Sequence, residues 1–98
     1  MNRQHKLSGY TDEEGRFTRL PGRRQKKKLD LMLEELAEKF VTDRNYTEME
    51  VNEILNAFHT FGDPATFRRL LFGCGFLDRT KDGKKYWKIE KSLIQEES

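Results

Sequence analysis

The chain has one cysteine, two prolines and two histidines. A lone cysteine excludes an internal disulfide framework and agrees with a reducing compartment. No apolar run approaches the roughly 20 residues that a membrane-spanning helix needs. The first ten residues, MNRQHKLSGY, lack the apolar centre of a signal peptide. A cytoplasmic protein without membrane contact is expected. Neither His5 nor His59 has a cysteine or carboxylate at metal-ligand spacing. No glycine-rich loop opens a helix to cradle phosphate, because Gly73-Cys74-Gly75 follows one instead. Ser8, Ser92 and Ser98 stand near the ends, where nothing holds a nucleophile. No enzyme, metal or cofactor is expected from such a sequence.

What is present is charge, unevenly spread. The 98 residues are 37% charged and 35% apolar, which suits one small domain with a modest core. Residues 1–30 carry nine Lys/Arg against four Asp/Glu; residues 31–60 carry two against seven. Residues 64–91 carry eight against three. Two basic regions flank an acidic middle, and such asymmetry speaks of partners more than the net charge of +2 does. Charged faces that only keep a small domain soluble would have the same composition.

The stretch from Asp63 to Ile89 carries the strongest local signals. Asp63 suits an N-cap and Pro64 the first helical position. Phe67, Leu70, Leu71 and Cys74 fall on one helical face, with Arg68 and Arg69 pointing away from it. Cys74 reads there as a small core residue. Gly75 suits the left-handed helix stop. Phe76 and Leu77 begin a strand, Asp82-Gly83 reads as a two-residue hairpin turn with positive φ at both positions, and Tyr86, Trp87 and Ile89 return. That turn pairs Arg79 with Tyr86, Leu77 with Lys88 and Asp78 with Trp87. The expected inward residues are Phe76, Trp87 and Ile89, leaving Leu77 and Tyr86 outward beneath a cover.

Upstream, residues 1–14 are expected to be a flexible segment, with a turn at Asp12–Gly15. RFTRL, residues 16–20, reads as a short strand able to cover the outer face of the hairpin. Pro21-Gly22 breaks the chain. A first helix is expected over Arg23–Phe40, although RRQKKK at its start opposes the helix dipole. Thr47-Glu48-Met49-Glu50 matches a capping box for a second helix with Val51, Ile54, Leu55 and Phe58 inward. Tyr46 before it is expected to bridge to the sheet. The short link His59–Gly62 makes the second and third helices a helix-turn-helix pair. The domain is expected to span residues 15–90, with a flexible tail over 91–98. The fold class is α+β: a winged helix-turn-helix, three helices with a small antiparallel sheet whose hairpin is the wing.

These residues also resemble a known family. GRFTRLPGRRQKKK, YTEMEVNEIL, an aspartate ahead of FRRLL, GFLDR and DGKKYW together resemble the bacterial domain of unknown function 2087 over about three quarters of the chain. Tyr46, Asn52, Asp63, Arg68, Arg69, Arg79 and Tyr86 fall at positions of that motif. The resemblance implies a winged-helix-like protein associated with transcriptional regulation. It supplies no catalytic residues.

The expected function is therefore a non-catalytic nucleic-acid-binding module, a DNA-binding transcriptional regulator whose partner is duplex DNA. Arg68 and Arg69 would reach the major groove, since arginine forks match guanine and phosphate. Arg79, Lys81, Lys84 and Lys85 would hold phosphates as the wing. Arg23, Arg24, Lys26, Lys27 and Lys28 would add a second backbone contact. A lysine-protected hairpin edge, or arginines paired to glutamates of the second helix, would use the same residues blandly. Glu48, Glu50 and Glu53 oppose phosphate binding. The alternatives are a protein-interaction or homodimerisation module, and single-stranded nucleic-acid binding on Tyr86.

Overall fold

The computed structural model describes residue 7 and residues 9–89. His5 and the expected tail 91–98 lie outside the described residues. The elements run α1 (Lys26–Ala37), β1 (Asn45–Tyr46), α2 (Glu48–Asn56), α3 (Pro64–Gly73), β2 (Leu77–Arg79) and β3 (Tyr86–Lys88). Three helices and a three-stranded antiparallel sheet of order β1-β3-β2 make an α+β fold of winged-helix arrangement. No described helix is long and apolar enough to cross a membrane.

The helix starts follow their local chemistry. Thr47 Oγ1 accepts from Glu50 N–H at 3.1 Å while Glu50 Oε1 accepts from Thr47 N–H at 2.9 Å, a complete capping box for α2. Asp63 caps α3 by accepting from the Thr66 N–H and hydroxyl, with Pro64 at the first position. α1 is different. Its N-cap, Gln25, makes no side-chain cap and its first turn holds no acidic residue. Cationic side chains crowd that helix start, and the helix begins at Lys26 rather than at Arg23. It also ends at Ala37, before Phe40.

The core joins all the helices to the inner face of the sheet. Met32, Leu33, Leu36, Phe40, Val51, Leu55, Phe67 and Leu71 are buried with Tyr46, Leu77 and Tyr86. The hairpin pairs as expected, Leu77 with Lys88, Asp78 with Trp87 and Arg79 with Tyr86. Its facing is the reverse of the expectation. Leu77 and Tyr86 point into the core, while Trp87 and Ile89 are only half-buried; Phe76, just before β2, is buried. Adjacent Tyr86 and Trp87 must occupy opposite faces, and the choice is made by Tyr46. It pairs directly with Tyr86 from β1, stacks edge-on against Phe40 at 5.2 Å, and accepts from Val41 N–H at 2.7 Å. Tyr46 is thus part of a two-residue strand rather than an isolated bridge.

The turn also differs. Gly83 N–H donates to Thr80 O and Thr80 N–H donates to Lys85 O, so the reversal spans Lys81–Lys84. Only Gly83 takes positive φ (74°); Asp82 does not.

The segment 16–20 forms no strand and does not cover the hairpin. Phe17 bridges to Thr11 and His59, and its backbone exchanges bonds with Phe58 and Thr60. It stands beside the α2–α3 link, which supplies those backbone partners. The expected flexible segment 1–14 is partly packed as well. Leu7 is 1% exposed and Tyr10 is buried with it, so the core draws on residues before 15. The Asp12–Gly15 turn forms, with Gly15 N–H donating to Asp12 O at 3.1 Å.

Candidate nucleic-acid interface

Phe67 and Leu71 hold α3 against the core, which sends the next residues of the helix outward. Arg69 is exposed there. Arg68 turns toward α2 instead: Nη1 donates to Asn52 Oδ1 at 2.5 Å and Nη2 lies 3.8 Å from Glu48 Oε2. Its side chain is 14% exposed, so much of its hydrogen-bonding capacity is turned to the protein. Arg79 comes from β2 and lays its guanidinium 4.7 Å from the centre of the Phe72 ring, a stacking that fixes the charge over α3.

These side chains meet. Arg68, Arg69 and Phe72 of α3, Glu48 of α2, and Arg79 and Tyr86 of the hairpin line one open pocket of about 310 Å³. Three cations face one anion across it. The wing tip closes one side. A Cβ on Gly83 would lie 3.3 Å from Arg79 Nη1 and 3.8 Å from Glu48 Oε1, so glycine lets the turn come this near. Lys81, Lys84 and Lys85 are exposed on that turn. The Thr80 hydroxyl and the Lys84 N–H both donate to Asp82, which stiffens the turn and holds the Asp82 carboxyl below its ordinary value.

The basic run at the start of α1 is elsewhere. Phe40, just beyond the other end of α1, meets Tyr46 and accepts from Lys88 Nζ at 3.4 Å. The twelve residues of α1 span about 18 Å, so Lys26 stands at the far end of the helix from the sheet. Lys28 lies 5.5 Å over the Tyr10 ring, which Arg19 also covers. Arg23, Arg24, Lys26 and Lys27 are exposed. Of the expected contacts, Arg68, Arg69 and Arg79 are brought together, with Lys81, Lys84 and Lys85 on the adjoining turn. Residues 23–28 are not part of this constellation.

His59 was legible only as a residue at a helix end, yet it sets the angle between α2 and α3. Its ring is buried. Nδ1 lies 2.7 Å from Leu55 O and Nε2 accepts from Asp63 N–H at 2.7 Å; these partners assign the proton to Nδ1. Phe61 and Phe67 pack against it at 4.7 and 4.8 Å between ring centres, the first in an edge arrangement and the second tilted. The same junction orders Asp63, whose carboxyl is held below its ordinary value by the Thr66 hydroxyl, then the Thr66 N–H, with the Arg69 charge adding. A histidine followed four residues later by an N-cap aspartate was the available signal. Among the described residues no group of three or more His, Cys, Asp or Glu is placed to hold a metal ion.

The chain matches the model of a family described as an uncharacterized protein conserved in bacteria (DUF2087) over residues 16–88, and it belongs to that family. No curated protein and no solved structure matches it.

Proposed function

We propose that this member of the DUF2087 family is a non-catalytic, cytoplasmic module that binds duplex DNA in transcriptional control. α3 enters the major groove and the β2–β3 wing grips the adjoining backbone. The observation that carries the reading is the meeting of Arg69 and Arg79 at one pocket, next to a lysine-bearing turn. Arg69 has the free fork that guanine or phosphate recognition needs. Arg79 is held over Phe72 and loses little freedom on binding. Lys81, Lys84 and Lys85 contact phosphates. Arg68, bound to Asn52 and beside Glu48, joins α2 to α3 and does not read bases.

Fluorescence anisotropy with a labelled duplex tests this. Arg69→Ala and Arg79→Ala are each expected to weaken binding by about 1–3 kcal/mol. Absence of duplex binding at low salt, with a mass that rises with concentration, would favour the dimerisation reading.

A further inference from the structure

We propose that the pocket between α2, α3 and the wing is also a binding site for a small organic anion, a phosphate or carboxylate carried on an apolar body. Its occupation would exclude the DNA backbone from the same arginines. The first half stands on the pocket alone; the second rests on the DNA reading above.

The pocket, about 310 Å³, is large enough for more than an inorganic ion and lies at the lower end of small-molecule sites. Its lining divides by chemistry. Arg69 and Arg79 supply guanidinium forks that, among the described residues, donate no side-chain hydrogen bond. Arg68 adds a third cation, already oriented by Asn52. A planar, bidentate donor of this kind fits the oxygens of phosphate or carboxylate. Phe72, 39% exposed, adds aromatic surface beside those forks, while Tyr86, 3% exposed, is almost wholly covered. A ligand with both an anionic head and an apolar body uses the whole lining, whereas a bare phosphate uses only the cations.

Glu48 is the specificity element. It is the one acidic residue lining the pocket and lies 3.8 Å from Arg68 Nη2. An incoming anion meets its repulsion and competes with it for Arg68. Neutralising Glu48 therefore favours anion binding, while removing Arg69 or Arg79 opposes it.

The test is an NMR titration of the full chain, following the arginine side-chain Nε–Hε signals. The probes are phenyl phosphate, inorganic phosphate and phenol. Saturable binding of phenyl phosphate is expected with half-saturation near ~1 mM or below, tighter than inorganic phosphate, with phenol not binding. Arg79→Ala and Arg69→Ala should each weaken it about tenfold, and Glu48→Gln should tighten it several-fold, about threefold or more. Equal affinity in the wild type and both arginine variants would overturn the pocket assignment, as would the absence of saturation. A competing labelled duplex separates the two halves. Displacement by phenyl phosphate supports exclusion, and unimpaired duplex binding at saturating phenyl phosphate overturns it. Saturable phenyl phosphate binding by a chain that binds no duplex would uphold the pocket and overturn the DNA reading.

Discussion

Two basic regions of this chain look alike in composition, nine cations against four anions in residues 1–30 and eight against three in residues 64–91. The fold treats them differently. Around α3 and the wing two arginines are held in place, Arg68 bonded to Asn52 and Arg79 stacked on Phe72, while Arg69 is exposed beside them and the lysines ride a turn tied by Asp82. At the start of α1 four of the five cations are exposed on a helix end with no side-chain cap. Charge density marks both regions equally; the convergence of three arginines on one pocket marks only the second. A binding surface that must pay little entropy on association is built from the second kind.

That contrast depends first on the junction that fixes α3. His59→Ala removes a buried ring, two hydrogen bonds and the packing of Phe61 and Phe67, and should lower stability by about 2–4 kcal/mol in urea unfolding. Neutralising residues 23–28 should leave the unfolding midpoint no lower than in the wild type, and a matching loss there would erase the difference between the regions.

Binding sharpens it next. The Arg69→Ala/Arg79→Ala double variant should lose about 2–4 kcal/mol of duplex affinity, less than the full sum of two single losses of about 1–3 kcal/mol, because the two side chains share one pocket. Replacing Arg23, Arg24, Lys26, Lys27 and Lys28 with glutamine should cost less than about 1 kcal/mol, since only long-range attraction is removed.

The start of α1 is improvable because its N-cap makes no side-chain hydrogen bond and its first turn holds no acidic residue. Gln25→Asp supplies the missing cap and an anion at the positive end of the helix, and should raise stability by about 0.5–1 kcal/mol in the same unfolding assay.

The smallest effect is in acid. Asp63 and Asp82 have folded-state pKa values below ordinary, so their ionised forms stabilise the fold above the usual carboxylate value of about 3.9, and that contribution is lost as pH falls through the lower folded values. Asp63→Asn keeps a capping side chain but cannot titrate. Thermal melts from about pH 6 to about pH 2 should fall less steeply for this variant than for the wild type.

Much of this structure was legible locally. The capping box, the Asp63-Pro64 helix start, the left-handed Gly75 (φ 84°) and the hairpin register all depend on residues within a few positions of one another. The errors share a different origin. Which of Tyr86 and Trp87 is buried depends on Tyr46, forty residues upstream. The burial of Leu7, Tyr10 and Phe17 depends on a surface that exists only after the helices assemble. The same limit applies to the site. Sequence pattern marked Arg68, Arg69 and Arg79 as cations, but not that Asn52 would take hold of one and Phe72 another. Nor did it show that the run at 23–28 lies outside the pocket that these arginines line.

The most direct measurement is the slope of duplex affinity against salt for two variants compared with the wild type. Removing Lys81, Lys84 and Lys85 should reduce the log–log slope by about three units, one per lost phosphate contact, while neutralising residues 23–28 should leave it within about one unit of the wild type. A slope that falls with the 23–28 run and not with the turn lysines would contradict the assignment of the interface to α3 and the wing.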